Sequence, residues 1–336
     1  MAPPPPPRDL HCDLLTYLAK TPARTPEDRA ARCSIPQLKK GKVGFQVMAV
    51  FTEDSKQAYH EARAQARAFR SLMSTHQKEI ALFPFHEEGH LEGGGKISAV
   101  AALENAAPLL REGEGRENLE ENLDSLEKEL GPLFYISLTW NGENRFGGGA
   151  FAEGIGLKED GQELLRLMSQ RGIAADISHA SDALASDIFS FIEKEKLTLP
   201  VIASHSNTRL VHNQARNLPD ELIKEVIRGK GLIGLNFVRH FIDDNRFEKI
   251  REHALHILNL GGEEALSFGA DFFAAEDLPP ERYRLHASWY FDDFDTAESM
   301  PGALEAITEG FSADLKKRIA HSNVQAFITR HMHGKR

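Results

Sequence analysis

Short apolar runs alternate along the chain with longer stretches in which apolar residues recur every three to four positions. Runs of this kind, bounded by Gly, Pro or polar residues, predict strands buried on both faces, and the longer period predicts amphipathic helices. Two of the runs, Ile173–His179 and Leu199–His205, both end in Ser-His. Gly172 precedes the first, and Thr198-Leu199-Pro200 opens the second. The other predicted strands are Leu10–Leu14, Lys42–Phe51, Ile97–Glu104, Leu133–Trp140, Leu232–Phe237 and Ala265–Phe272. Helical patterns separate them: Ser55–His76, with Tyr59, Ala62, Ala66, Phe69 and Met73 on one face; Asn118–Leu130, with leucines at 4-3-4 spacing; Lys158–Gln170; Asp182–Glu195; a helix opened by Pro219-Asp220-Glu221; and Arg246–Leu260, closed by Gly261-Gly262. A long loop, Ala274–Pro301, and helices over Gly302–Arg330 complete the pattern.

Eight strands with intervening helices predict an α/β fold, a (β/α)8 TIM-type barrel with additional C-terminal helices; a doubly wound open sheet is the main alternative. No internal repeat or second domain boundary interrupts the order. The division expected is a flexible Pro-rich arm over 1–8, a single barrel domain over 9–330 and a polar tail over 331–336. In such folds chemistry gathers at the C-terminal rim of the strands, and two Ser-His ends on successive strands suggest one shared site.

Composition narrows the classes. The chain has 336 residues, 41% hydrophobic, with a formal net charge of −10. An acidic balance argues against a nucleic-acid partner. The two cysteines, Cys12 and Cys33, supply neither a disulfide framework nor a cysteine zinc site. No apolar run is long enough for a transmembrane span, and Pro3 to Pro7 cannot form the apolar core of a signal peptide. A cytoplasmic location is expected.

The predicted strand ends carry a recurrent chemistry. The first ends His11-Cys12-Asp13, where residues i and i+2 share a side, so imidazole and carboxylate converge. Others end at Glu104, His179, His205 and Asp271. Nitrogen and oxygen donors without thiolate suit zinc, and less specifically manganese or iron. Five such groups can hold two metals with a carboxylate bridging, and the sixth, Asp271, could serve as general acid and base.

Ordered motifs sharpen this reading. They are Asp9-Leu10-His11-Cys12-Asp13, Ile35-Pro36-Gln37-Leu38, Val43-Gly44-Phe45-Gln46, Ala102-Leu103-Glu104, Leu138-Thr139-Trp140-Asn141, Gly156-Leu157 with Gly161, Asp176-Ile177-Ser178-His179, Ser204-His205-Ser206, Ala215-Arg216-Asn217-Leu218-Pro219-Asp220, Asn236-Phe237 and Gly269-Ala270-Asp271-Phe272. Over roughly residues 9 to 328 the chain resembles the membrane (renal) dipeptidase family, metal-dependent peptidases of the amidohydrolase superfamily. The resemblance implies a dipeptidase working through a metal-bridged hydroxide, with two zinc ions per chain. His11 and Asp13 would bind one metal, His179 and His205 the other, and Glu104 both. Asp271 would shuttle the proton, and Arg216 would hold the substrate's carboxylate. The resemblance also suggests a homodimer. Trp140 stands where mammalian members have a substrate-contacting histidine, Val238 where they have tyrosine, and Phe273 in place of the usual aspartate. These departures motivate one alternative, a related amidohydrolase acting on another small amide, such as an N-acyl amino acid or lactam; the other alternative is a non-catalytic binding relative, which would need an empty metal site.

Other features are read more plainly. Arg216 could instead pair with a surface acid, and Trp140 could be a core aromatic. His253 and His256 lack the His-Glu-x-x-His order of zinc proteases and read as a helix face. Gly93-Gly94-Gly95-Lys96 reads as a loop, and Ser204 lacks the Gly-x-Ser-x-Gly of a nucleophile elbow. Trp289-Tyr290-Phe291 reads as a wall of the pocket, a subunit contact or a local aromatic cluster.

Overall fold

The computed structural model describes residues 5–85, 95–278 and 288–332. Outside that range fall residues 1–4 of the Pro-rich arm, Gly93-Gly94, part of the long loop after the last strand (279–287) and most of the polar tail (333–336). The strands are β1 (Arg8–Cys12), β2 (Phe45–Phe51), β3 (Ile80–Leu82), β4 (Ile97–Glu104), β5 (Tyr135–Ser137), β6 (Ala174–Asp176), β7 (Val201–Ile202), β8 (Ile233–Leu235) and β9 (Leu266–Phe268). All pair in parallel, in the order β7-β6-β5-β4-β2-β1-β9-β8, with β3 branching off β4. Ala203 bridges to Ile233, and the Gly234 N–H donates to the Ala203 carbonyl at 2.8 Å. These contacts bring β7 against β8, so eight strands form a nearly closed barrel of the TIM type.

Two apolar clusters divide the core. One gathers Leu10, Val47, Val100, Ala102, Tyr135, Ala174 and Ile202 with Phe327 and Ile328 of the C-terminal helix Asn323–His331. The other holds Cys12, Met48, Leu103, Ile136, Ala175, Leu235 and Phe268 against the surrounding helices. A register shift between Asp9 and Cys12 in the β1–β2 ladder separates Leu10 from Cys12, although the two share parity along the strand. Close approach also constrains β8 and β9. A Cβ on Gly234 or Gly269 would lie 2.0 or 1.9 Å from the Ser204 carbonyl oxygen, so a side chain at either position would push the end of β7 outward.

Several elements are shorter than their apolar runs. Leu14 opens a helix, Leu14–Lys20, with Asp13 at its N-cap position. The runs ending at His179 and His205 leave the ladder at Asp176 and Ile202, so both histidines stand on the turns beyond their strands. Apolar content reports burial, and these turns are as buried as the strands that lead into them. Arg8 opens β1, and Pro7 accepts a hydrogen bond from the Gly44 N–H at 2.9 Å, which fixes the end of the arm against the barrel. Among the described residues no helix is long and apolar enough to cross a membrane.

His253 lies on the buried face of the helix Ile250–Asn259. Its Nδ1 accepts from the Thr208 N–H at 3.1 Å, and its Nε2 lies 3.0 Å from the Ile242 carbonyl. This pattern fixes the neutral ring, and burial lowers its pKa from 6.5 to about 4. Unfolded, the same ring takes its proton near 6.5. Its contribution is therefore complete above that value and lost as pH falls toward 4. Between pH 7 and pH 5 the wild type is expected to lose about 2 kcal/mol more unfolding free energy than His253→Gln, by urea titration. Parallel pH curves for the two proteins would contradict this.

Candidate metal centre

Six of the residues singled out from the sequence meet at the C-terminal end of the barrel. His11 is the fourth residue of β1, Asp13 follows that strand, and Glu104 is the last residue of β4. His179 and His205 stand on the turns after β6 and β7, and Asp271 on the segment after β9. All six are buried. The Glu104 carboxylate lies between two groups. Its Oε2 is 3.3 Å from His11 Nε2, while its Oε1 is 2.7 Å from His179 Nε2 and 4.0 Å from His205 Nε2. His11 Nε2 is also 3.8 Å from Asp13 Oδ2 and 3.6 Å from Asp271 Oδ1. Donor atoms of His11, Asp13 and Asp271 converge within 4.8 Å, as do those of His11, Glu104 and His205.

Each histidine is aimed by its second nitrogen. His11 Nδ1 is 2.6 Å from the Tyr135 hydroxyl, His179 Nδ1 is 2.9 Å from Asn141 Oδ1, and His205 Nδ1 is 2.7 Å from Ser204 Oγ. With Nδ1–H donating to these oxygens, the Nε2 atoms of His179 and His205 present lone pairs inward, as metal-ligating histidines do, and that of His11 points inward to the carboxylates. His179 Nε2 and His205 Nε2 are then only 2.9 Å apart, facing each other and Glu104. His11 Nε2 and Asp13 Oδ1 are buried without a hydrogen-bond partner among the described residues. Lone pairs converging in a buried space repel unless a proton or cation lies among them, and imidazole nitrogens with carboxylate oxygens suit a divalent metal.

Protonation in the cluster is uneven. Burial drives both His179, to about 4, and His205, well below 6.5, toward the neutral form; Arg216 adds to both. Burial also opposes the charge on His11, but Tyr135, Glu104 and Asp13 together raise its pKa well above 6.5. Burial disfavours ionised Glu104, yet His11 and His179 hold it well below the usual carboxylate range. Asp271 is pushed up to about 7 by burial, helped by Asp13 and Glu104 against His11 and Asn236.

Arg216 is buried beside the histidines, with Nη2 3.0 Å from His179 Nε2 and its guanidinium 5.4 Å from the centre of the Phe241 ring. Its Nη1 has no hydrogen-bond partner among the described residues, and burial lowers its pKa. The Trp140 ring lies 6.1 Å from that of His179, against Phe51. Val238 is buried in the outer core, and Phe273 packs on Trp289 and Tyr290.

Three supports escaped the sequence reading. Tyr135 is a single hydroxyl inside an apolar strand. Asn236 donates Nδ2–H to Asp271 Oδ2 at 2.8 Å and lies within one of the quoted motifs. Tyr290, expected as a wall, a contact or a cluster residue, proves to be a clamp. Asp271 adopts left-handed backbone, φ 61°. The buried Tyr290 hydroxyl donates to the Asp271 carbonyl at 2.6 Å and accepts from the Phe273 N–H at 3.0 Å.

A family model described as membrane dipeptidase, peptidase family M19, matches residues 6–283. Two curated relatives are uncharacterised proteins, of the PQQ-III 3′ region of Acinetobacter calcoaceticus and of the pqqA 5′ region of Klebsiella pneumoniae. They are 28% and 27% identical over 167 and 190 residues, covering 44% and 52% of this chain. These matches span 50% and 65% of the relatives' own length. Among solved structures, a metallopeptidase from Rhodobacter sphaeroides bound to a phosphinate mimic of the dipeptide L-Ala-D-Ala superposes with a TM-score of 0.82 at 19% identity, over 98% of this chain and 100% of that one. Dipeptidase AC, a metallopeptidase of family M19, gives 0.81 at 20%, over 98% and 99%. At these identities the likeness establishes the fold.

Tyr290→Phe keeps the ring and removes both hydrogen bonds around Asp271. It is expected to cost about 1–3 kcal/mol in urea unfolding, because two buried backbone groups lose their partner. A loss below about 0.5 kcal/mol would show that the hydroxyl does not hold this turn.

Proposed function

We propose, for a chain that belongs to the membrane dipeptidase family of metallopeptidases, that it hydrolyses the amide bond of dipeptides with two zinc ions bound. The observation that carries this is the Glu104 carboxylate, with one oxygen turned to His11 and the other to His179. His11 and Asp13 would hold one ion, His179 and His205 the other, and Glu104 would bridge them. Divalent metal there supplies Lewis acidity and lowers the pKa of water.

The remaining work falls to the chain's own groups. Asn236 holds Asp271 Oδ2, which leaves Oδ1 facing the cluster to take a proton and return it to the leaving amine nitrogen. Arg216 offers Nη1 to the substrate's terminal carboxylate, for which a guanidinium fork is suited. Burial of the guanidinium strengthens that pairing, since little water competes. The Trp140 indole, beside His179, supplies an apolar wall and carries no charge, where a histidine could. This difference favours as a second reading a small amide other than a dipeptide, such as an N-acyl amino acid.

A panel of dipeptides and N-acyl amino acids, assayed with zinc and after chelation, tests both readings. Dipeptides are expected to give the highest kcat/KM, with activity lost on chelation and restored by zinc. Higher kcat/KM for the N-acyl compounds would shift the substrate class. No turnover of any member by metal-loaded protein would overturn the proposal. Asp271→Asn is expected to lower kcat about 10²–10⁴-fold. Arg216→Met is expected to raise KM for substrates with a free carboxylate and leave their amidated forms little changed.

A further inference from the structure

Ser178 and the aspartate that ends β6 have no part in the chemistry above, and Ser204 enters it only as the oxygen beside His205 Nδ1. Asp176 is 1% exposed and makes no ion pair among the described residues. Five hydrogen bonds converge on its carboxylate. Oδ1 accepts from the Ser178 N–H at 3.2 Å, Ser178 Oγ at 2.8 Å and the Ser204 N–H at 2.8 Å. Oδ2 accepts from Ser137 Oγ at 2.6 Å and Ser204 Oγ at 2.9 Å. Two of these donors are backbone N–H groups and three are serine hydroxyls.

Two of these donors lead on to one histidine. Ser204 Oγ gives its proton toward Asp176 and so accepts from His205 Nδ1–H at 2.7 Å. Ser178 Oγ likewise gives its proton toward Asp176 and accepts from the His205 backbone N–H at 3.0 Å. Ring and backbone of His205 thus hang from one carboxylate through two hydroxyls. His179 has no such link: its Nδ1 goes to the neutral Asn141 amide.

We propose that Asp176 is a positioning residue that, through Ser204, keeps His205 protonated on Nδ1 and aims its Nε2 lone pair at the metal centre. This rests on the reading of His205 as a metal ligand. A carboxylate acting through a hydroxyl makes the imidazole a stronger donor, as directly bonded carboxylates do for metal-bound histidines. The Ser-His repeat then has a physical reason. Each hydroxyl satisfies one donor of the second histidine and one lone pair of the shared aspartate.

The test measures metal affinity by competition of the apo-protein with a chromogenic chelator, for zinc and for cobalt. Wild type is expected to take up two ions. Asp176→Asn and Ser204→Ala are each expected to weaken one of the two by about 10–100-fold and leave the other within about threefold. Ser137→Ala removes a hydrogen bond to the same carboxylate but leaves the path to His205 intact, so both affinities are expected to stay within about threefold of wild type. The cobalt absorption spectrum, which reports the ligand field at the ion, is expected to change in the first two variants and not in the third. Unchanged affinity and spectrum in Ser204→Ala would overturn the proposal. Equal weakening by Ser137→Ala and Ser204→Ala would also overturn it, by reducing Asp176 to general support of the core. Wild type that takes up no metal would overturn the metal reading itself, a separate failure visible before any variant is compared.

Discussion

A carboxylate held out of water between imidazoles is the constraint on which the rest depends. Glu104 is 4% exposed, and a buried charge is tolerated only where opposite charge and hydrogen bonds compensate its lost hydration. His11 lies on one side of it and His179 on the other, and both favour its ionised form against burial. Such a pairing requires β1, β4 and the turn after β6 to stay in register. The long, regular ladder between β2 and β4, which runs from Phe45–Ser98 to Phe51–Glu104, places the carboxylate on a rigid support.

The centre is also closed from behind. Each histidine is aimed by an oxygen that belongs to the barrel wall or the turn above it: Tyr135 for His11, Asn141 for His179 and Ser204 for His205. Opposite them, Asp271 stands in left-handed backbone between Asn236, which holds its side chain, and Tyr290, which holds its carbonyl. Left-handed backbone away from glycine is held only where surrounding contacts determine it, and here the contacts come from Asn236, just past β8, and from Tyr290 on the segment after β9. Rigidity of this kind suits the proposed role, in which metal ligands and a proton carrier keep fixed separations.

Much of this was legible along the chain. Apolar runs reported burial, and eight of them with helices between reported the barrel. The polar residues His11, Glu104, His179, His205 and Asp271 stood out because they end apolar runs, and the structure brings them together. Strand limits were less legible, because the turns after β6 and β7 are as buried as the strands themselves, and apolar composition does not separate buried ladder from buried turn. The short strand Ile80–Leu82, outside the barrel path, was missed: Pro84 interrupts its apolar run. The supports were least legible. Tyr135, Asn236 and Tyr290 act by the direction of one polar atom each, and that direction depends on partners more than 30 residues away, save between Tyr290 and the Asp271 turn.

The most direct measurement is an anomalous difference map from crystals of zinc-loaded protein, with data on both sides of the zinc edge. Two peaks are expected about 3.5–4 Å apart, one beside His11 and Asp13, the other beside His179 and His205, with Glu104 between them. A map without zinc among these side chains, in protein shown to contain the metal, would contradict the account.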